Sequence, residues 1–160
     1  MSTQLLRNQE SRAVAAWVRL IRGHSAMRRT VNAQLQADHG LTVNDYEALL
    51  LLSRSDGGLK RIDLAGELKL TPSGVTRLLD GLQKQGLVDK ATCATDARVT
   101  YAVITTAGSS KFKEASQTHL AGIRALFEER YTNQELEQLA ELLSRLPGVG
   151  AADGTDCGAE

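Results

Sequence analysis

Leu70-Thr71-Pro72-Ser73-Gly74-Val75-Thr76-Arg77-Leu78-Leu79, continued by Gly86-Leu87-Val88 and then by Val99-Thr100-Tyr101-Ala102-Val103-Ile104, decides how this chain is read. Thr71 suits a helix N-cap, and Pro72 suits the first helical position, where its missing N–H costs nothing. Val75, Leu78, Leu79 and Leu82 form one apolar face, which leaves Ser73, Gly74, Thr76, Arg77 and Asp80 on the others. Gly86 stops the helix. Leu87 to Ala91 and Val99 to Ile104 read as two strands, with Val99, Tyr101 and Val103 alternating as a half-buried strand requires. The loop between them is polar and carries Asp96 and Arg98 near its tip. A short Pro-started helix followed by a charged hairpin is a shape that can straddle a nucleic-acid duplex.

Upstream, Asn8 to about Asp38 reads as one long helix, with Val14, Trp17, Val18, Ile21, Val31 and Leu35 at helical spacing. Gly23 weakens its middle by roughly 1 kcal/mol relative to Ala, and His39-Gly40 ends it. Such a helix is longer than a small globule needs, so its N-terminal half is expected to pack on another chain. Thr42 to about Ser53 is a second helix. Thr42 and Asp45 form its capping pair, and Tyr46, Leu49, Leu50 and Leu52 its buried face. Ser55-Asp56-Gly57-Gly58 is a turn. Arg61 to about Leu68 is a short third helix, opened by Lys60 and Arg61 and carried by Ile62, Leu64, Ala65 and Leu68.

Downstream, Thr106 is expected to cap a fifth helix reaching about Arg130, with Phe112, Ala115, His119, Ile123, Leu126 and Phe127 on its apolar side. Thr132 and Glu135 make a second capping box for a sixth helix to Leu146, whose stripe is Leu136, Leu139, Leu142, Leu143 and Leu146. The expected fold is mainly α with a small β-wing. Residues 8–38 and 106–146 form a helical dimerisation region, residues 42–105 a winged helix-turn-helix lobe, and residues 147–160 a disordered acidic tail.

Composition narrows the function. A chain of 160 residues suits one domain, or a small domain plus an oligomerisation element. Aromatic residues make up only 4%, which points to an aliphatic, helix-rich core. There is neither a membrane-spanning apolar run nor, in MSTQLLRNQE, the apolar block of a secretory signal, so a soluble cytoplasmic protein without a membrane partner is expected. The formal net charge is zero, but its distribution is uneven. Met1 to Thr30 holds six Arg and one acidic residue, whereas Phe127 to Glu160 holds eight acidic residues against two Arg. Overall neutrality therefore does not exclude DNA, because the local field at the contact surface decides.

The chain has no Gly-rich phosphate loop, no activated Ser or Cys motif and no compact zinc motif among His24, His39 and His119. Neither an enzyme nor a cofactor or metal is expected. Cys93 and Cys157 lack metal-site spacing. Cys93 lies in the wing, where a bulky oxidised thiol would block docking; the alternative is an incidental surface thiol.

The order of elements, with Leu41-Thr42-Val43-Asn44-Asp45-Tyr46, Leu70 to Leu79, Gly86-Leu87-Val88 and Asp96-Ala97-Arg98 followed by Ile104-Thr105-Thr106-Ala107-Gly108, resembles the MarR family of bacterial winged helix-turn-helix regulators. The resemblance covers about Asn8 to Leu146. It implies a homodimer in which the first, fifth and sixth helices interlock, and recognition helices that enter successive major grooves of a near-palindromic double-stranded site. It also implies wings in the minor groove, with Arg98 entering it and Asp96 holding the wing. Ala97 stands where many relatives carry a second Arg, which implies weaker wing binding. The chain lacks the Cys near the start of the first helix that peroxide-sensing relatives use.

On their own chemistry, Ser73, Thr76 and Arg77 at the exposed start of the helix suit phosphates or base edges. Arg98 suits a narrow minor groove. Lys60 and Arg61 suit phosphates, with ordinary solvated charge as the alternative, and Lys84 and Lys90 are weaker candidates. Trp17, Tyr46 and His119 are candidates for a cavity taking a small aromatic or phenolic effector, with core packing as the alternative. The expectation is a transcriptional repressor released by such an effector. The alternatives are a winged-helix protein-interaction module and an effector-independent architectural DNA binder.

Overall fold

The computed structural model describes residues 11–92 and 100–149. It divides into two compact units, Met1–Leu120 and Ala121–Glu160. In order, the elements are α1 (Arg12–His39), α2 (Val43–Ser53), β1 (Leu59–Lys60), α3 (Arg61–Leu68), α4 (Pro72–Lys84), β2 (Val88–Thr92), β3 (Thr100–Ile104), α5 (Thr106–Glu128) and α6 (Asn133–Ser144). The protein is mainly helical with one small antiparallel sheet, as the sequence implies.

Local chemistry fixes most helix ends. The Thr42 hydroxyl accepts from the Asp45 N–H at 3.1 Å while the Asp45 carboxylate accepts from the Thr42 N–H at 2.8 Å, a reciprocal capping box. Gly40 takes a left-handed conformation (φ 68°) and closes α1. Between α3 and α4 the same role falls to Lys69, at φ 54°, and the Leu70 N–H reaches back to the Ala65 carbonyl at 3.1 Å.

The sheet contains a strand the sequence did not announce. Leu59 and Lys60 pair with Ala102 and Tyr101, which makes β3 the central strand in the order β1-β3-β2. Two residues are too few to show a period-2 pattern, so only the tertiary pairing reveals them. Lys60 accordingly ends a strand and serves as the N-cap residue of α3. The hairpin itself runs Val88 to Thr92 against Ile104 to Thr100 in register.

Other boundaries move slightly. β2 begins at Val88 rather than Leu87, α5 ends at Glu128 rather than Arg130, and α6 ends at Ser144 rather than Leu146. The cap of α5 is Thr105, not Thr106: the Thr105 hydroxyl accepts from the Gly108 N–H at 2.9 Å. Ile62, expected to help carry α3, is 68% exposed, while Leu64 and Ala65 are buried. The buried face of this eight-residue helix is set by its fourth and fifth residues, Leu64 and Ala65, rather than by its first apolar residue.

The core of the first unit is aliphatic. Leu35, Leu41, Leu49, Leu52, Leu64, Val75 and Leu82 are almost wholly buried, drawing α1 to α4 onto one centre. α2 is tied to α1 by the Arg28 guanidinium, which donates to Glu47 at 3.1 Å and also to Asn44, and by the Val43 N–H, which donates to Asn32 at 3.0 Å. In the second unit, Thr132 and Glu135 form the expected capping box and start α6, none of whose residues is buried; Leu142 is 55% exposed.

The junction of wing and α5 is unusually close. The Thr105 hydroxyl donates to the Gly86 carbonyl at 2.7 Å, and the Thr105 N–H donates to the Leu87 carbonyl at 3.1 Å. A Cβ on Gly108 would stand 2.0 Å from that same carbonyl oxygen. Gly108→Ala is therefore expected to cost about 3 kcal/mol or more, at or beyond the upper end of overpacking penalties. Gly66→Ala, whose Cβ would meet nothing within 4 Å, should stabilise by up to about 1 kcal/mol through helix propensity. Urea unfolding of both variants checks this; equal effects would contradict the assignment of a close backbone contact at Gly108.

Candidate nucleic-acid interface

α4 is held so that one face is committed and the other is free. Thr71 caps it by accepting from the Gly74 N–H at 3.1 Å, and Pro72 occupies its first turn. Val75, Leu79 and Leu82 are buried. Ser73, Arg77, Asp80 and Lys84 are exposed and recur at i, i+4, i+7 and i+11, which makes them one stripe.

Within this face the candidates differ. Arg77 makes no side-chain hydrogen bond or ion pair among the described residues, so all its donors are free. The Ser73 hydroxyl lies 3.2 Å from that of Thr71. The Thr76 hydroxyl donates to the Pro72 carbonyl at 2.9 Å and accepts from the Arg61 guanidinium at 3.3 Å. Its proton is thus used within the helix, and its chief effect is to bring Arg61 of α3 onto the α4 face. Lys60 is exposed at the start of α3.

Arg61 and Lys90 line the same narrow cleft between α4 and the sheet, together with Leu79, Gln83 and Tyr101. Lys90 on β2 also pairs with Asp80 on α4 at 3.9 Å. Helix and wing thus present Arg61, Arg77, Lys84 and Lys90 on neighbouring surfaces. Asp96, Arg98 and Cys93 lie outside the described residues, as does the tail beyond Val149.

Two of the three expected effector residues come together. Buried Tyr46 lies against His119 with ring centroids 4.4 Å apart and planes tilted by 45°, has the Phe112 ring centroid 5.4 Å away and hydrogen-bonds Ser116 at 3.2 Å. His39 anchors the same helix through Thr118 at 2.8 Å. Trp17 is not part of this group: it is 63% exposed on α1. It also precedes Arg28, where α1 meets α2, by 11 residues, about 16 Å along the helix axis.

Sequence reasoning missed a second cavity, of about 430 Å³, lined by His24 and Arg28 of α1, Glu47, Leu50 and Leu51 of α2, and Glu67, Leu68 and Lys69 at the turn into α4. The one-turn spacing of His24 and Arg28 was its only visible signal. Among the described residues no three His, Cys, Asp or Glu side chains gather to hold a metal ion.

His119 has its pKa pushed below the ordinary histidine value by burial, with the Glu47 carboxylate opposing this more weakly. Its Nδ1 is buried without a hydrogen-bond partner among the described residues. A depressed folded-state pKa means that the neutral ring contributes stability above the unfolded value, near 6.5. This contribution is lost as pH falls through the folded value, because the unfolded chain takes up the proton first. Thermal melts of wild type and His119→Phe between about pH 8 and 5 should diverge, with wild type losing more stability on the acid side. Parallel curves would contradict a buried neutral imidazole.

A profile of the MarR family matches residues 39–99. Over 111 residues the chain is 29% identical to the HTH-type transcriptional repressor YetL of Bacillus subtilis, an alignment covering 69% of this chain and 66% of YetL. The structure superposes on Sco3205, a MarR family transcriptional regulator from Streptomyces coelicolor in complex with DNA, with a TM-score of 0.72 and 25% identity over 81% of each chain. It superposes on CouR from Rhodococcus jostii RHA1 bound to p-coumaroyl-CoA with a TM-score of 0.66 and 25% identity, over 78% of this chain and 86% of CouR. With its capped and half-exposed α4, its small wing sheet and these matches, the chain is similar in both sequence and fold to the MarR family of winged helix-turn-helix transcriptional regulators.

Proposed function

We propose that this chain is a homodimeric, sequence-specific repressor that reads a near-palindromic DNA site and is released by a small aromatic or phenolic effector. The observation that carries the DNA reading is the division of α4. Its apolar face is spent on the core, while Ser73 and Arg77, the latter without a side-chain partner among the described residues, are exposed on the opposite face. Arg77 reads a base edge or phosphate in the major groove, Arg61 and Lys60 take flanking phosphates, and Arg98, braced by Asp96, enters the minor groove. The DNA complex of Sco3205 and the repressor role in YetL's name support this reading.

Dimerisation is supported by apolar surface that each unit leaves uncovered. Val14, Trp17, Val18 and Ile21 form an exposed i, i+3, i+4, i+7 stripe on α1, and Leu142 near the end of α6 and Leu146 just beyond it are exposed. Stripes of this kind mark an interface. For the effector, the ring pair Tyr46–His119 supplies an aromatic wall, from which the exposed Trp17 stands apart. The ligand in CouR supports a small-molecule role. An effector releases DNA only by binding the DNA-incompetent arrangement more tightly. No helix among the described residues is long and apolar enough to cross a membrane. The proposed setting is the cytoplasm, and the proposed role involves no catalysis, cofactor or Cys93 redox chemistry.

Fluorescence anisotropy on a duplex covering the gene's own upstream region, beside a scrambled duplex and across a salt titration, tests the DNA reading. Wild type should prefer its own duplex, and its affinity should fall as salt rises. Arg77→Ala should weaken own-site binding by about 1–3 kcal/mol, and Arg98→Ala should reduce the salt slope by about one. Weak, equal binding to both duplexes would favour an architectural binder; no salt-dependent binding would favour a protein-interaction module. Analytical ultracentrifugation should find a dimer that Trp17→Glu weakens, and a monomeric wild type at micromolar concentration would contradict the dimer.

A further inference from the structure

The exposed stripe of α4 carries one residue of the wrong sign for DNA. Asp80 is the only acidic residue of α4 and stands between Arg77 and Lys84 on the same face. From β2, Lys90 approaches it to 3.9 Å, with both side chains about half exposed. Asp80 lies seven residues beyond Ser73, about 10 Å along the helix axis. A recognition helix reads bases with its N-terminal residues, and Asp80 lies beyond that segment. A carboxylate there does two things at once: it cancels the charge of Lys90, and it repels phosphates.

We propose that Asp80 is a specificity-determining residue that suppresses phosphate-only binding. The inference rests on the DNA reading above and names a device within that surface. Binding without base contacts is the sum of phosphate contacts. Such a complex relaxes until its cations lie as close to the backbone as they can. It is this approach that Asp80 opposes, both by its own charge and by holding Lys90. A seated helix is kept in fixed register by its base contacts and gains less from closer approach. Discrimination is a difference of two affinities, so lowering the non-specific one raises it.

Asp80→Asn keeps the shape of an exposed side chain and removes its charge. Anisotropy with a scrambled 30-base-pair duplex and with the upstream duplex, at low and at physiological salt, reads the effect. The scrambled duplex should bind Asp80→Asn at least about five-fold more tightly than wild type at low salt and with a steeper salt slope, while the upstream duplex gains less. Lys90→Gln should weaken scrambled-duplex binding more in the Asp80→Asn background than in wild type, where Asp80 already neutralises it. An equal gain on both duplexes, no gain on either, or a loss confined to the upstream duplex (the mark of a base contact) would each overturn the inference. Wild type binding neither duplex would instead contradict the DNA reading on which it rests.

Discussion

The close packing of Gly86-Leu87 against Thr105 to Gly108 is the constraint on which the rest of the DNA-facing surface depends. The Leu87 N–H closes α4 by donating to the Leu82 carbonyl at 3.0 Å, and the Leu87 carbonyl accepts from Thr105 at 3.1 Å. Thr105 in turn binds the Gly86 carbonyl and caps α5. The end of α4, both strands of the wing and the start of α5 thus share a few backbone groups. Each group is satisfied by another, which is what buried polar backbone demands. The side-chain hydrogen bonds need a hydroxyl at position 105, and the contact distance needs a residue without a Cβ at position 108. A Thr-x-x-Gly spacing at the end of the wing therefore has a physical reason, apart from any family habit.

From that junction follows the surface. With the C-terminal end of α4 pinned and Val75, Leu79 and Leu82 in the core, the roll of the helix is settled. The stripe from Ser73 to Lys84 is then left exposed, with Asp80 within it reached by Lys90 of β2. Charge is arranged finely within it. Arg61 is drawn across by Thr76, Arg77 has no side-chain partner among the described residues, and Lys90 is countered by Asp80. A chain of zero net charge can thus carry a cationic face whose strength is tempered by a carboxylate inside it.

Much of this was legible in the sequence because it rests on local chemistry. Thr42 with Asp45, Thr71 with Pro72, and Thr132 with Glu135 announce helix starts by interactions spanning three residues, and the structure reproduces each. What stayed hidden rests on tertiary contacts. Thr105 and Thr106 are equivalent as local caps, and only the nearness of Gly86 selects Thr105. β1 is too short to have a pattern of its own. Ile62 is apolar by type, yet it falls on the outer face of a helix whose burial is decided by Leu64 and Ala65. Trp17 shares an aromatic character with Tyr46 and His119, but helix geometry alone separates it from the site where α1 meets α2. The cavity beside Lys69 draws its walls from three helices and had no motif to betray it.

The central claim is that the exposed stripe of α4 enters the major groove of DNA, once per subunit of a dimer. Methylation protection at guanine N7 on the upstream duplex, read beside hydroxyl-radical cleavage of the backbone, tests it most directly. Two windows of N7 protection about one helical turn apart, near 10 base pairs centre to centre, are the predicted result. Backbone protection without any N7 protection would contradict it.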